Sequence, residues 1–312
     1  MLLPSIPACL PPALLCAGLA LPLLARAEPE VQRLEASIPV WVPATDQAAA
    51  TTVELSGHVY RPGGAGPWGL VVLSHGTPGG REARAALTDR YGAQARAIAA
   101  LGYVVVTGLR RGYGASGGPA ADHYGSCEAP DYAHAAGEAA RDVAAIMGYA
   151  QKLPYVDGSQ VLLLGKSAGG FASLALAAQR PAGLRGVINF AGGRGAQPRM
   201  REQQTVCGAA ALLQTVAGFA AGTRVPQLWI YADNDSYFRP PLVRQMAASY
   251  RQAGLSLKLV FVPPDGDEGH RFFDRPANIP QWLPLVQDFL QQQMPGRAAA
   301  QLQSNNPQGD RP

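Results

Sequence analysis

Ser167 lies in the pentapeptide Gly-Lys-Ser-Ala-Gly at 165–169, between an apolar run and a run of small residues. The four residues 161–164 are continuously apolar, which is typical of a buried parallel strand, and residues 171–178 predict a helix. Gly-x-Ser-x-Gly at such a junction is a nucleophile elbow, because the turn is too tight for larger flanking residues and exposes the serine at the sheet edge. The alternative is a Gly-rich turn with a capping serine, which fits this context less well.

A nucleophilic serine needs a base, and in this architecture the acid and then the histidine follow the serine along the chain. Four of the five histidines precede Ser167, and only His270 follows it. His270 also comes just after an expected strand at 257–262 and its loop, where open parallel sheets build their sites. We therefore expect His270 to be the general base. The alternative is a histidine on a solvent-exposed loop.

Two carboxylates, Asp233 and Asp235, follow the expected strand at 225–231. One of them should accept a hydrogen bond from the imidazole and stabilise the imidazolium that forms. We favour Asp235, because the loop has more reach there than at the strand tip. Asp233 is better placed to bond its own backbone in the turn.

An acyl-transfer site also needs two backbone N–H groups to hold the oxyanion. Ala168, directly after the serine, is expected to supply one. Thr77, in the loop after an expected strand at 69–74, is expected to supply the other, since the next residue is a proline with no N–H. His75 is expected to support this loop. Three aromatic residues are candidates for lining the substrate pocket, although each also fits ordinary packing: Tyr113, Tyr124 and Trp68.

With these residues placed, the chain resembles an α/β-hydrolase of the dienelactone hydrolase-like group, which is related to the prolyl oligopeptidase catalytic domain. The resemblance runs from about Thr51 to Leu290. Besides the elbow, the motifs on which this resemblance rests are His-Gly-Thr-Pro-Gly-Gly at 75–80, Arg-Gly-Tyr-Gly-Ala-Ser-Gly-Gly at 111–118, Tyr-Ala-Asp-Asn-Asp at 231–235 and Gly-His-Arg-Phe at 269–272. It implies an acid three residues after the small residue that closes the strand, which again gives Asp235. The namesake enzymes use a cysteine nucleophile, so Ser167 favours ordinary ester chemistry over dienelactone hydrolysis.

The remaining pattern predicts one α/β domain with the α/β-hydrolase fold. Strands are expected near 52–60, 69–74, 103–108, 160–164, 186–190, 225–231 and 257–262, and helices near 82–100, 131–151, 168–180, 240–254 and 280–293. This alternation indicates a mainly parallel sheet with helices on both faces. Residues 192–223 are long for a connection and predict a small cap or rim over the site, or alternatively a surface excursion with one helix.

The termini are expected to lie outside this domain. Residues 1–27 predict a signal peptide, with an apolar stretch at 10–24 and a small-x-small cleavage site before Glu28, although no Lys or Arg precedes the stretch. Residues 28–294 then form the hydrolase domain, and 295–312 a disordered tail. The chain is thus expected in the periplasm or secreted, with no stable membrane insertion after cleavage.

Two cysteines, Cys127 and Cys207, remain after the signal peptide is removed. An even pair in an exported protein suggests one disulfide, here between the loop after 111–118 and the proposed cap. The alternative is two separate buried thiols.

Charge and motif spacing limit the kinds of partner that we expect for this chain. The net charge of +4, from 26 basic and 22 acidic residues, includes no basic block, so we expect no nucleic-acid partner. No Cys/His cluster has zinc spacing, and no Gly-x-Gly-x-x-Gly opens a helix after the first expected strand. We therefore expect neither a metal nor a cofactor.

These features predict an exported carboxylic-ester hydrolase that cleaves a small-molecule ester through an acyl-enzyme. A serine peptidase of the prolyl oligopeptidase-like type is the alternative, but the segment between Glu28 and the first expected strand is too short for a gating propeller. A non-catalytic binding protein on a hydrolase fold is the second alternative. It would require a broken triad, whereas Ser167, Asp235 and His270 are all present.

Overall fold

A computed structural model describes residues 30–295, except 45, 47, 90 and 197–205. The predicted signal peptide and all but the first residue of the predicted tail lie outside the described residues. So does the middle of the segment that was expected to form a cap.

Eight strands form a single sheet, and their bounds are β1 Val31–Val42, β2 Thr51–Pro62, β3 Trp68–Ser74, β4 Val104–Gly108, β5 Val156–Lys166, β6 Leu184–Phe190, β7 Gln227–Ala232 and β8 Leu257–Val262. The strand order is β1-β2-β4-β3-β5-β6-β7-β8. β2 pairs antiparallel with both β1 and β4, and every other pairing is parallel. The prediction of a mainly parallel sheet is confirmed.

Seven α-helices accompany the sheet in the described residues: α1 Arg81–Ala85, α2 Gly92–Ala99, α3 Tyr132–Ala150, α4 Ala168–Ala178, α5 Ala209–Gly222, α6 Pro240–Gln252 and α7 Ile279–Gln293. Neighbouring residues of β3 face opposite sides: Leu70 and Val72 join the core under α3 to α6, while Val71 and Leu73 join the core under α2 and α7. Both faces of the central strands are therefore buried, which explains why these strands are continuously apolar.

Two parts of the fold differ from the prediction. The sequence before residue 51 was expected to hold no strand, yet β1 occupies it. Only Ala36, Ile38 and Val40 of β1 are buried, because β1 is an edge strand, and its exposed first half hides the alternation. The helix expected at 82–100 is two helices, α1 and α2, and between them Asp89 accepts a hydrogen bond from Tyr60 on β2.

The segment expected to form a cap or rim divides into two parts. Residues 193–196 follow the carboxyl end of β6 and line the pocket that contains Ser167. α5, in contrast, packs between α4 and α6 as an ordinary crossover helix. A disulfide joins Cys207, at the start of this helical part, to Cys127 in the loop after β4, as predicted.

Within the described residues, no helix combines the length and the apolar character needed to cross a bilayer.

Candidate active site

Ser167 occupies a strained turn between β5 and α4. Its backbone has a φ of 55°, a left-handed value that is uncommon outside glycine. A Cβ on Gly165 would lie 2.2 Å from the carbonyl oxygen of Gly169, and a Cβ on Gly169 would lie 2.3 Å from that of Ser74. Both glycines are therefore required by space, as the elbow hypothesis predicted.

The three side chains predicted to do the chemistry meet at the carboxyl edge of the sheet. Ser167 Oγ lies 3.0 Å from His270 Nε2, and His270 Nδ1 lies 3.1 Å from Asp235 Oδ2. The Asp235 carboxylate is buried, while Asp233 is exposed. The geometry thus selects Asp235 of the two candidate acids. With the proton on Nδ1, Nε2 is free to accept from the serine hydroxyl.

Backbone donors and an aromatic ring hold Asp235 and His270 in place. The other carboxylate oxygen of Asp235 accepts hydrogen bonds from the N–H groups of Tyr237 and Phe238, each at 2.9 Å. The Tyr237 ring stacks on the His270 imidazole, with centroids 4.1 Å apart and planes inclined by 7°. Glu268 accepts from the His270 N–H at 2.8 Å and from the Ser236 hydroxyl, so it ties the histidine loop to the loop that carries the acid.

An ion pair between buried Lys166 and partly buried Asp274 lies beside this histidine. Lys166, next to the nucleophile, is buried and lies 3.6 Å from Asp274. Asp274 also accepts a hydrogen bond from the Tyr91 hydroxyl at 3.0 Å. Burial lowers the pKa of His270 below its ordinary value, and the positive charge of Lys166 lowers it further, against the opposing effects of Asp235 and Asp274. The surroundings therefore favour the neutral imidazole that a general base requires.

Thr77 and Ala168, the predicted oxyanion donors, both line the pocket around Ser167. Neither backbone N–H donates a hydrogen bond within the part of the chain that the structure describes. Ala168 is the first residue of α4, so its N–H has no partner within the helix. Both donors are thus available to a substrate oxygen.

A network of buried charges fixes the Thr77 loop. The Thr77 hydroxyl accepts from Arg194 at 2.5 Å and lies 3.1 Å from the Tyr113 hydroxyl. Tyr113 donates to Asp122 at 2.8 Å, and Arg110 pairs with Asp122 at 3.2 Å. Burial opposes ionisation of Asp122, but Arg110 and Arg194 outweigh it and lower the pKa of Asp122 to about 2. Asp122 therefore stays charged at any physiological pH.

The pocket has a volume of about 870 Å³ and is open to solvent. Tyr124 lines it as predicted, whereas Tyr113 is fully buried behind Thr77. Trp68 does not reach the site: it begins β3, and seven strand residues place it roughly 20 Å from the carboxyl edge. The charged residues in the described lining are Arg84 and Arg194. Among the described residues, no group of three or more His, Cys, Asp or Glu side chains could hold a metal ion.

Four residues of this site were not identified from the sequence: Tyr237, Glu268, Arg194 and Asp122. Tyr237 follows the acid by two positions, so its nearness to His270 could have been inferred once Asp235 was chosen. Arg194 and Asp122 meet only through the fold, since 72 residues separate them. No sequence signal joins them.

Comparison with known proteins places this chain among hydrolases. A family model described as X-Pro dipeptidyl-peptidase (S15 family) matches residues 51–252, which is more than half of the chain. No curated protein sequence matches the chain closely enough to count as a relative.

Similar solved structures include a dienelactone hydrolase-like promiscuous phosphotriesterase from metagenomic libraries, at 19% identity and a TM-score of 0.56, with 84% of this chain and 98% of that chain covered. An esterase from Pyrococcus furiosus matches at 15% identity and a TM-score of 0.57, with 84% of this chain and 93% of that chain covered. Dipeptidyl peptidase 4 from Porphyromonas gingivalis matches at 16% identity and a TM-score of 0.58. The match covers 84% of this chain but only 35% of that longer chain. At these identities the likeness establishes the α/β-hydrolase fold.

Proposed function

Since the chain belongs to the X-Pro dipeptidyl-peptidase (S15) family of hydrolases, we propose that it is a serine hydrolase in which Ser167 is the nucleophile. The observation that carries this proposal is the continuous path from Ser167 Oγ through His270 to Asp235, with separations of 3.0 and 3.1 Å. Both lie within hydrogen-bond reach, which proton transfer between the serine and the histidine requires.

The reaction follows from these positions. His270 Nε2 takes the hydroxyl proton as Ser167 Oγ attacks the substrate carbonyl carbon. The carbonyl oxygen becomes an oxyanion and accepts from the N–H groups of Thr77 and Ala168, each such donor typically contributing about 3–4 kcal/mol. The tetrahedral intermediate collapses, His270 gives its proton to the leaving group, and an acyl-enzyme remains. Water then attacks, with His270 again taking and returning a proton.

We further propose that the bond cleaved is a carboxylic ester of a small molecule. A dipeptidyl-peptidase must recognise the free α-ammonium of its substrate, for which a buried or partly buried carboxylate is the natural partner. The described lining instead carries Arg84 and Arg194, of which Arg194 pairs with Asp122 behind the lining, and no carboxylate. This charge pattern suits neutral or anionic esters better than a peptide with a free amino terminus.

A peptidase is the second candidate, because the family description itself names X-Pro dipeptides. The same triad chemistry cleaves amides. A substrate pair separates the two: p-nitrophenyl butyrate tests the ester, and alanyl-prolyl-p-nitroanilide tests the peptide, with its N-acetylated form as control. Preference for the free-amine anilide over both other substrates would favour the peptidase.

The test of the nucleophile needs no knowledge of the substrate. We expect a fluorophosphonate probe to add one label per molecule to the wild type and none to Ser167→Ala, as measured by intact mass. Ser159→Ala is the matched control, since Ser159 lies on the same strand β5 but is exposed near its other end. Folded wild-type protein that takes no label would contradict the proposal and favour a binding function.

We also propose that the protein is exported, to the periplasm or beyond the cell. The Cys127–Cys207 disulfide supports this, because such bonds persist mainly in oxidising compartments. Cell fractionation with detection of the mature amino terminus tests it. Retention of the full-length chain in the cytoplasm with both thiols reduced would contradict it.

A further inference from the structure

We propose that Tyr237 is a positioning residue for the general base: its ring lies flat on the His270 imidazole and stabilises the imidazolium that forms during each proton transfer. This inference rests on the proposed function, since it assumes that His270 acts as the base for Ser167.

The first support is the geometry of the stack. The two rings are nearly parallel, 7° apart in plane and 4.1 Å apart in centroid distance. The electron-rich face of an aromatic ring attracts a cation within about 6 Å. Neutral imidazole gains little from such a face, whereas imidazolium gains more, so the stack favours the charged form that arises in the transition state.

The second support is that the backbone fixes this ring. The Tyr237 N–H donates to Asp235 Oδ1 at 2.9 Å, while Asp235 Oδ2 accepts from His270 Nδ1 at 3.1 Å. One residue thus binds the acid through its backbone and covers the base with its side chain. Asp235 restrains the imidazole in its own plane, and Tyr237 restrains it from above. Together they prevent rotation away from Ser167.

Other charges act on the same imidazole and must be separated from the stack. Asp235 faces it from the loop after β7, and Glu268 accepts its backbone N–H. Lys166 from the elbow and Asp274 from the segment after His270 also act on it. The test therefore leaves all of these unchanged and varies the ring alone.

The variants are Tyr237→Phe, which keeps the stack, and Tyr237→Leu, which keeps bulk but removes the aromatic face. The measurement is the second-order rate of fluorophosphonate labelling of Ser167 as a function of pH. We expect Tyr237→Phe to label within about twofold of the wild type and Tyr237→Leu to label roughly three- to thirtyfold more slowly on the plateau. Tyr149→Leu, a half-buried tyrosine on α3, is the control for the loss of a ring.

The pH profile separates positioning from a merely structural role. Without the aromatic face the imidazolium is less stable, so the pKa of His270 falls and the acid limb of the Tyr237→Leu profile moves to lower pH, although the plateau is lower. A structural defect would lower the plateau without that shift. If Tyr237→Leu matches the wild type in plateau and limb, or if Tyr237→Phe is as slow as Tyr237→Leu, the inference is wrong. Wild type that takes no label would instead overturn the proposed function itself.

Discussion

Different kinds of interaction hold the site on the two sides of Ser167. On the side of the base, His270 is held by Asp235, Glu268 and the Tyr237 ring, and Asp235 is held in turn by backbone N–H donors. On the oxyanion side, the Thr77 loop is held by a buried network of two arginines and Asp122.

The difference reflects what each side does. His270 must gain and lose a proton, and its charged neighbours act on its pKa in opposite directions. The Thr77 loop must present its N–H in one place, and ions that never titrate near neutral pH can fix it permanently. Changes on the first side should therefore alter rate and pH dependence, and changes on the second side should alter stability.

The largest expected effect comes from removing the acid on the base side. Asp235→Asn keeps the shape but favours the wrong tautomer of His270, and we expect kcat for ester hydrolysis to fall by about 10⁴-fold. Asp233→Asn is the matched control, since Asp233 is exposed in the same turn. Equal losses in the two variants would show that the acid has been misassigned.

The next effect tests the oxyanion side. Asp122→Asn leaves Arg110 and Arg194 without their carboxylate, and we expect the free energy of unfolding to fall by about 3–5 kcal/mol. Asp265→Asn, which breaks the partly exposed pair with Arg275, should cost no more than about 1 kcal/mol. Urea unfolding at neutral pH measures both. If Asp122→Asn lowered the free energy of unfolding no more than Asp265→Asn does, the stabilising role of the network would be contradicted.

The same carboxylate gives a pH prediction. The pKa of Asp122 is about 2 in the folded protein, below the ordinary value of an aspartate carboxyl. Because the folded pKa is the lower one, the stabilisation is present above about pH 4 and is lost as the pH falls toward 2. The wild type should lose stability across this window more steeply than Asp122→Asn. Parallel stability curves for the two proteins would contradict this assignment.

A third effect concerns the disulfide on the oxyanion side. It links the loop that carries Tyr124 to the segment that follows Arg194, across a sequence separation of 80. Replacing both Cys127 and Cys207 by serine should lower the free energy of unfolding by about 2–4 kcal/mol. The acid limb of the labelling profile should stay in place, because His270 is held from the other side. A shifted limb would show that the two sides are coupled.

The sequence predicted the base side more completely than the oxyanion side. The elbow, the lone downstream histidine and Asp235 follow from spacing and chain order, and the structure brings them together. The arginine–aspartate network could not be predicted, since Arg194 and Asp122 meet only after β6 and the loop after β4 pack at one edge. Trp68 is not a pocket residue because it lies at the amino end of β3, whereas the site lies at the carboxyl end. β1 was missed because an exposed edge strand has a weak apolar pattern.

The smallest expected effect is a shift in the pKa of His270 when one neighbouring charge is removed. It is also the sharpest test of how these charges act on the imidazole. Lys166→Met removes a buried positive charge whose effect is to lower the pKa of His270, so that pKa should rise. The base is then protonated at higher pH, and the acid limb of the labelling profile should move upward while the alkaline plateau holds. Asp274→Asn removes an opposing negative charge, so the limb should move downward.

Opposite shifts are informative because loss of stability could not produce them. Both substitutions break the same ion pair, so general damage at that pair would slow both variants alike. The acid limbs of their two pH profiles would then lie at the same pH. Divergent limbs would show that His270 responds to each charge separately. The aromatic face of Tyr237 would then be one of several opposing influences that keep the imidazole neutral before the reaction and stable when charged during it.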